Sequence, residues 1–412
     1  MIDGIANHAD SPWAEDIASM RGHDEEIGAW RCVSVNDFPR LEYTMGEVRR
    51  AGERLAQFNL QYDANTLLAF QIAESFRQDH AYPMRRLRGE LVGCRIALKL
   101  NGRTVSRLKH MPSIRRKLRK IPAGLNQIQD LGGCRTILPT VGDANRMAAE
   151  FAARTGHPIS KIQDYNAAPK PGGYRSLHLM LRYGADNTDD AHKGRRIEAQ
   201  FRSVTQHSWS TAVEAMGTLR GELMKAGEGA PDWLRLFELM SAELAMAERQ
   251  PIAAHLPAQA SRRAEIKDLD YKLGALATLE NMRVAFRFAD DIQPNPRPEY
   301  YLITYDNASR EVRVDPKFNI ASGLRDYAQL ESDIRNNNSL NTVLVEASSV
   351  AQLKEAFPNY FLDVQLFSEN LRNIVQGRDA REFTFIPPAR VRPSDPEDPD
   401  PSWLRRTGRR QG

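Results

Sequence analysis

Apolar positions at helical and strand spacing predict an alternating order of elements through the first half of the chain. Thr44 to Phe58 reads as a helix opened by the capping-type Thr44-Met-Gly-Glu47. A second helix is predicted from Asn65 to His80, with Leu67, Leu68, Phe70, Ile72, Ala73 and Phe76 on one stripe and Pro83 as its stop. Residues 91–100, LVGCRIALKL, suit a strand, and Ser113 to Lys120 a basic helix. A strand ending at Thr136 to Pro139 precedes a helix from Val141 to Thr155. Strands over Ser176–Tyr183 and Arg196–Phe201 are joined by a polar hairpin around Gly184. This alternation predicts an α/β domain over 45–225.

The second half reads differently. Pro231 opens a helix whose apolar face carries Trp233, Leu234, Leu236, Phe237 and Met240, and another helix follows from Ser261 to Phe288. After the Pro-rich stretch 293–298, strand patterns cover Tyr300–Tyr305, Glu311–Val314, Asn341–Glu346 and Tyr360–Leu366, with a short helix over Val350–Phe357. The expected organisation is an N-terminal arm (1–44), the α/β domain, a helical connector (226–292), a small α+β module (293–385) and a disordered tail (386–412). The tail mixes prolines and acids before Arg405, Arg406, Arg409 and Arg410, a composition that buries no core.

Composition narrows the class. With 41% hydrophobic and 27% charged residues the 412-residue chain is globular rather than disordered, and two or three domains are expected at this length. No run approaches eighteen consecutive apolar residues, and the N-terminus lacks an apolar leader core, so a soluble, cytoplasmic protein without a membrane partner is expected. Cys32, Cys94 and Cys134 form no CxxC pair and read as small buried hydrophobes. The net charge of +4 hides a concentration: between Arg85 and Lys120 thirteen cations face one acid, Glu90. Such a cluster is either a solvated face or a surface for the phosphates of a nucleotide or nucleic acid.

Four segments combine the residue types that phosphate chemistry needs. Arg107-Leu-Lys109-His-Met-Pro-Ser113-Ile-Arg-Arg-Lys117 places cations before and inside a helix, with Ser113 expected as N-cap beside free N–H groups. Asp130-Leu-Gly132-Gly133-Cys-Arg135 sets a carboxylate able to hold Mg²⁺ beside glycines suited to close backbone packing. The loop from Asp164 to His178 offers Lys170, Tyr174, Arg175 and His178 for gripping phosphate and stacking a base. In Glu198-Ala-Gln200-Phe-Arg202 the strand period puts Glu198, Gln200 and Arg202 on one face, costly to bury without ligands or counter-charges. Taken singly, Tyr174 also fits an ordinary strand aromatic, His178 a core histidine, and Asp130 and Glu198 simple salt bridges to Arg135 or Arg202.

In order and spacing these segments resemble the RelA/SpoT-type nucleotidyltransferase domain, which makes the alarmone (p)ppGpp. The match runs through Arg107, Lys109, Ser113 and Lys117; Asp130 and Arg135; Asp164, Tyr165, Pro169, Lys170, Gly173, Tyr174, Ser176 and His178; and Glu198, Gln200, Arg202 and His207, covering about 90–215. The resemblance implies a polymerase-beta-like fold, a mixed sheet with helical flanks, and ATP-dependent pyrophosphate transfer to a ribose 3′-hydroxyl with release of AMP. It implies that Asp130 and Glu198 are catalytic and hold Mg²⁺, with Glu198 also near the attacking hydroxyl. Arg107, Lys109, Ser113, Lys117 and Arg135 would bind ATP, and Lys170, Tyr174, His178, Gln200 and Arg202 the acceptor, Tyr174 by stacking on its base.

Departures qualify this. The Phe-Arg-Ser at 201–203 differs from the usual Ile-Arg-Thr. The long enzymes of the family carry a hydrolase domain ahead of the synthetase, but His23-Asp24 is the sole HD dipeptide here, so synthesis without hydrolysis is expected. GDP or GTP is the first-choice acceptor. A toxin-like enzyme that modifies the tRNA 3′ end is the second reading, since the basic run also suits an RNA backbone. A catalytically idle sensor, binding a protein partner through 293–385, is the third.

Overall fold

Helix α1 (Met45–Leu55) starts where the capping box predicts: Glu47 N–H donates to the Thr44 hydroxyl, and Thr44 N–H donates to the Glu47 carboxylate at 2.8 Å. The computed structural model describes residues 38–61, 63–120, 124–184, 191–220, 222–284, 300–306, 311–334, 340–346 and 364–384. The arm over 1–37, the hairpin tip 185–190, the turn 307–310, the helix expected at 350–357 and the tail lie outside those residues.

Helix α2 (Ala64–Gln78) is capped by Asp63 and buries Phe70, Ile72, Ala73 and Phe76, while Leu67 and Leu68 of the expected stripe face outward. Pro83 does not stop the helical run. It is the third residue of α3 (Ala81–Ala97), where a missing N–H has no intrahelical partner to lose. Residues 91–97 are therefore helical, a correction to the strand expected there. Leu91, Val92, Cys94 and Ile96 are buried around the helix, so the segment is apolar on every side and carries no period to read.

Among the described residues eight strands form one mixed sheet: β1 (Arg103–Leu108), β2 (Gly132–Leu138), β3 (Ile159–Asp164), β4 (Leu177–Arg182), β5 (Arg196–Ser203), β6 (Tyr300–Asp306), β7 (Glu311–Lys317) and β8 (Leu340–Glu346). Their order is β3-β4-β5-β2-β1-β8-β6-β7, with β2 and β5 parallel and the other pairs antiparallel. Helix α4 (Met111–Lys120) links β1 to β2, α5 (Val141–Arg154) links β2 to β3, and α6 (Val204–Arg220) follows β5. One sheet face packs on α3 and α5 through Leu87, Leu91, Met147, Phe151, Leu179, Ile197, Ala199 and Phe201. The even-numbered residues of β5 project to the opposite face, where the candidate site lies.

Strands β6 to β8 extend this sheet rather than making one of their own. Strand β8 pairs with β1 at Arg107↔Val345, and α10 (Ile320–Ile334) follows the β6–β7 hairpin. The outer edge of β1 thereby gains partners for its exposed backbone groups, the physical reason for joining sheets. The helical layer contains α6, α7 (Pro231–Ala247), α8 (Gln259–Leu273), α9 (Ala275–Val284) and α11 (Gln365–Val375). Helix α11 replaces part of the strand expected at 360–366, and its Phe367, Leu371 and Ile374 join Trp209, Trp233 and Phe237 in one core. The helix expected over 261–288 is broken at Gly274, whose positive φ of 58° ends α8. Cys94 and Cys134 are buried thiols, as expected of small hydrophobes.

Candidate active site

The floor of the site is the register of four strands. Arg107 of β1 lies opposite Gly133 of β2, which pairs with Glu198 of β5; beside that row, Arg135 pairs with Gln200, which faces His178 of β4. The two glycines have different tasks. A Cβ on Gly132 would stand 2.8 Å from Ile197 Cδ1, so close packing excludes it. A Cβ on Gly133 would meet nothing nearer than 3.8 Å, and its absence leaves the floor open between Arg107 and Glu198.

Asp130 enters from the loop before β2. Its carboxylate accepts from Lys109 Nζ at 2.8 Å and from Lys117 Nζ at 2.9 Å. Burial opposes its ionisation, but the two lysines outweigh burial and hold the carboxyl below its usual range. Glu198 is 9% exposed. Its Oε1 accepts from His178 Nδ1 at 2.9 Å and its Oε2 from Gln200 Nε2 at 2.5 Å. Burial again opposes ionisation; the His178 and Gln200 hydrogen bonds and the Lys117 charge prevail, holding Glu198 well below the carboxylate range. Both acids line one open cleft, together with Arg107, Lys109, Ser113, Arg135 and Gln200.

Behind Glu198 runs a buried hydrogen-bond chain. Burial keeps His178 neutral despite its carboxylate partner. With Nδ1–H donating to Glu198, Nε2 accepts from the Tyr174 hydroxyl at 2.8 Å. That hydroxyl accepts from Arg202 Nη2 at 2.6 Å, and Arg202 also donates to Gln200 Oε1 at 2.7 Å and to Ser210 at 3.1 Å. Every member fixes the next, so the Glu198 carboxylate is held in one orientation.

The structure brings most of the expected site residues together and revises the tasks of several. Ser113 is the third residue of α4 rather than its N-cap, because the helix begins at Met111 and Ile114 N–H already donates to His110 C=O at 3.0 Å. His178 is 3% and Arg202 0% exposed; His178 bonds Glu198, and Arg202 donates to Gln200, Ser210 and the Tyr174 hydroxyl. Tyr174, the expected stacking platform, is 8% exposed. Lys170 Nζ lies 5.0 Å and the Arg202 guanidinium 5.0 Å from its ring centroid, which leaves no open face like that of a bare platform. Lys170 is exposed and also lies 4.2 Å from the Tyr165 ring. Arg135 is buried, and burial together with Arg202 and Arg107 pushes its guanidinium down to about 9.

Sequence reasoning missed Glu214 and Lys225. They form an ion pair beside Tyr174, and Glu214 also faces the charges of Arg107 and Arg135. The available signal was Glu214 itself, a single acid in the apolar stretch Ala212-Val-Glu-Ala-Met216 of α6.

Among the described residues no group of three or more His, Cys, Asp or Glu side chains gathers as a metal site. Two hard carboxylates on one cleft nevertheless fit Mg²⁺, which takes one or two protein carboxylates and completes its shell with waters and substrate phosphates. No helix among the described residues is long and apolar enough to cross a membrane.

Residues 106–218 match the family described as a region found in RelA / SpoT proteins. That segment is similar to the family's region. It runs from β1 to the end of α6, and so takes in every residue of the cleft floor. The chain is 32% identical over 113 residues to GTP pyrophosphokinase YjbM of Bacillus subtilis (strain 168), covering 27% of this chain and 53% of that protein. It is 29% identical over 114 residues to GTP pyrophosphokinase YwaC of the same organism, covering 26% and 54%. The chain thus spans about half the length of these relatives. Among solved structures, the small alarmone synthetase 1 from Bacillus subtilis bound to its product pppGpp aligns with a TM-score of 0.35 and 20% identity, over 50% of this chain and 97% of that one.

Proposed function

We propose that the chain transfers pyrophosphate from ATP to the 3′-hydroxyl of GDP or GTP, giving (p)ppGpp and AMP. One observation carries the reading: Asp130 and Glu198, far apart in sequence, line a single cleft whose remaining walls include Arg107, Lys109 and Ser113. Similarity to the pyrophosphokinases YjbM and YwaC over 113 and 114 residues supports it.

In the proposed reaction the acceptor 3′-oxygen attacks the β-phosphorus of ATP. The new O–P bond forms as the bond from that phosphorus to the α,β-bridging oxygen breaks, and AMP leaves with that oxygen. Glu198, ionised and immobilised by His178 and Gln200, orients the hydroxyl and takes up its proton. Lys109, Lys117 and Arg107 neutralise the phosphoryl oxygens as the group moves. Asp130 and Glu198 would hold a Mg²⁺ ion, which when bound supplies charge neutralisation to the polyphosphate. Strand β8, paired to β1 at Arg107, gives the 293–385 segment a physical route to influence the cradle, consistent with a regulatory role for it.

Incubation with γ-labelled ATP and either GDP/GTP or deacylated tRNA tests the reading. Label is expected in the guanine nucleotide and lost in Glu198→Gln, with the protein still folded by circular dichroism. Label in tRNA alone would replace the acceptor, and no label in either would make the chain an idle sensor.

A further inference from the structure

Between β1 and α4 the chain turns a corner at Lys109 and His110, and both residues line the cleft. The backbone of that corner is held on each of its polar groups. Lys109 N–H donates to Leu131 C=O at 2.8 Å, which ties it to the residue after Asp130. Lys109 C=O accepts from Arg77 Nη1 of α2 at 3.2 Å, and His110 C=O accepts from Ile114 N–H at 3.0 Å. Arg77 is fully buried, and its Nη2 donates to the Glu74 carboxylate at 2.7 Å. The Lys109 ammonium therefore reaches Asp130 from a clamped backbone.

A side chain from more than two hundred residues away completes the clamp. Tyr327 of α10 is fully buried, and the Arg77 guanidinium lies 4.5 Å from its ring centroid. The same ring meets the His110 ring in a T-shaped contact, with centroids 6.1 Å apart and planes at 81°. Tyr327 thus touches both the arginine that holds Lys109 C=O and the histidine that follows Lys109. Burying a guanidinium is costly, and an aromatic face offsets part of that cost through cation–π attraction, which strengthens where water is excluded. Tyr327 is itself well seated. Strand β8 pairs with β1, Arg85 of α3 donates to the Tyr300 hydroxyl at 2.5 Å, and Leu108, Leu324, Leu344 and Tyr327 share one apolar cluster. It lies outside the 106–218 segment that is similar to the family, so this contact is a feature of this chain rather than of the matched region.

We propose that Tyr327 is a positioning residue for the transfer reaction, acting through Arg77 and His110 to fix Lys109 for the phosphates of ATP. The inference rests on the pyrophosphate-transfer reading and deepens it, naming the contact by which the 293–385 segment sets the activity of the cleft. Being fully buried, Tyr327 is out of reach of a substrate. Its ring fixes the plane of the Arg77 guanidinium, and the fork of that guanidinium joins the ring to Lys109 C=O and to Glu74. The effect falls on the Lys109–Asp130–Lys117 end of the cleft. The loop carrying Lys170 and Tyr174 is held instead by Ser241, which donates to Gly173 C=O, and by Arg202.

Steady-state kinetics on the full chain, varying ATP and GDP separately, test it with Tyr327→Leu, Tyr327→Phe and Arg77→Lys. Loss of the ring in Tyr327→Leu is expected to raise the KM for ATP about three- to tenfold and leave the KM for GDP within about twofold. Tyr327→Phe keeps the ring and should hold both KM values within about twofold of wild type. Arg77→Lys keeps the charge but not the fork, so it should raise the KM for ATP as Tyr327→Leu does, and it serves if the leucine variant folds poorly. Combining Tyr327→Leu with Arg77→Lys should add no more than about twofold to the larger single effect, because both break one linkage. Equal KM values for ATP across the set, or a parallel rise for ATP and GDP, would overturn the assignment while leaving pyrophosphate transfer standing. A loss in Tyr327→Phe as large as in Tyr327→Leu would do the same. If wild type shows no turnover, calorimetric titration with a non-hydrolysable ATP analogue decides: weaker binding in Tyr327→Leu but not in Tyr327→Phe supports the role, and equal binding in all three removes it. A wild type that neither turns over nor binds the analogue removes the functional reading and this inference together.

Discussion

Replacing Glu248 by Gln should stabilise the protein at alkaline pH and do little at acid pH. Glu248 caps the C-terminal end of α7, is 6% exposed, and its Oε1 has no hydrogen-bond partner. Burial, reinforced by the nearby Glu382 carboxylate, pushes its carboxyl from 4.5 up to about 7, against the opposing pull of the Ser203 and Thr205 hydroxyls and Arg175. The folded state thus holds a proton that the unfolded chain has already released. Between pH 4.5 and 7 the unfolded state binds fewer protons than the native state, so stability falls as pH rises through that window. At 1.36 kcal/mol per pH unit, the rise corresponds to about 3 kcal/mol lost by pH 8. Gln is nearly isosteric and never ionises, so Glu248→Gln removes the penalty. Urea unfolding at pH 5 and pH 8 measures it: the variant should gain up to about 3 kcal/mol over wild type at pH 8 and under about 1 kcal/mol at pH 5. A gain independent of pH, or no gain at pH 8, would show that the Glu248 carboxyl ionises normally in the folded protein.

Two further substitutions probe the site's supports. Tyr174→Phe removes the hydroxyl that joins Arg202 to His178 and leaves His178 Nε2 buried without a donor. Thermal unfolding should show a loss of about 1–3 kcal/mol, accompanied by slower transfer; an unchanged midpoint would mean the chain of hydrogen bonds carries no energy. Gly173→Ala strains a backbone at φ 93° and drives a Cβ to 2.5 Å from Ser241 Cβ, whereas Gly172→Ala, at φ 84°, meets open space. The Gly173 variant should therefore lose clearly more stability in the same melt than the Gly172 variant, by about 1 kcal/mol or more, and equal losses would discount the clash.

What the sequence made legible follows from period and chemistry. Glu198, Gln200 and Arg202 were readable as one strand face because a period of two admits no other arrangement, and their mutual hydrogen bonds satisfy the burial cost that made the face conspicuous. Asp130 was readable from its glycine neighbours. Helix α3 was not, because Leu91 to Ile96 are buried around the whole circumference and a continuous apolar run looks the same in either conformation. The start of α4 was placed at Ser113 by its capping chemistry, yet the chain turns helical at Met111, where His110 C=O takes the first bond. The union of β8 with β1 had no local signal at all, since pairing across more than two hundred residues is decided by which edge is left uncovered. Lys225 escaped for the same reason: only the fold brings its turn back to Tyr174.

The charges of the cleft gain sense when read as exchangeable partners. Asp130 is held by Lys109 and Lys117, and Glu214 by Lys225. Asp130 thus occupies the two ammonium groups that the proposed reaction needs on phosphate. Arg202 differs: fully buried, its named partners are the neutral Ser210, Tyr174 and Gln200, so its charge is fixed and serves the framework. A cation committed to neutral donors and acceptors cannot be handed to a ligand without orphaning buried groups, whereas a lysine released by a carboxylate can, provided a positive ion or a proton replaces it there. On the Asp130 side Mg²⁺ fits that vacancy by its chemistry. The cleft's cations thus differ in kind: in the proposed reaction phosphate binding by Lys109 and Lys117 is coupled to the divalent ion, while Arg202 keeps its place in the framework.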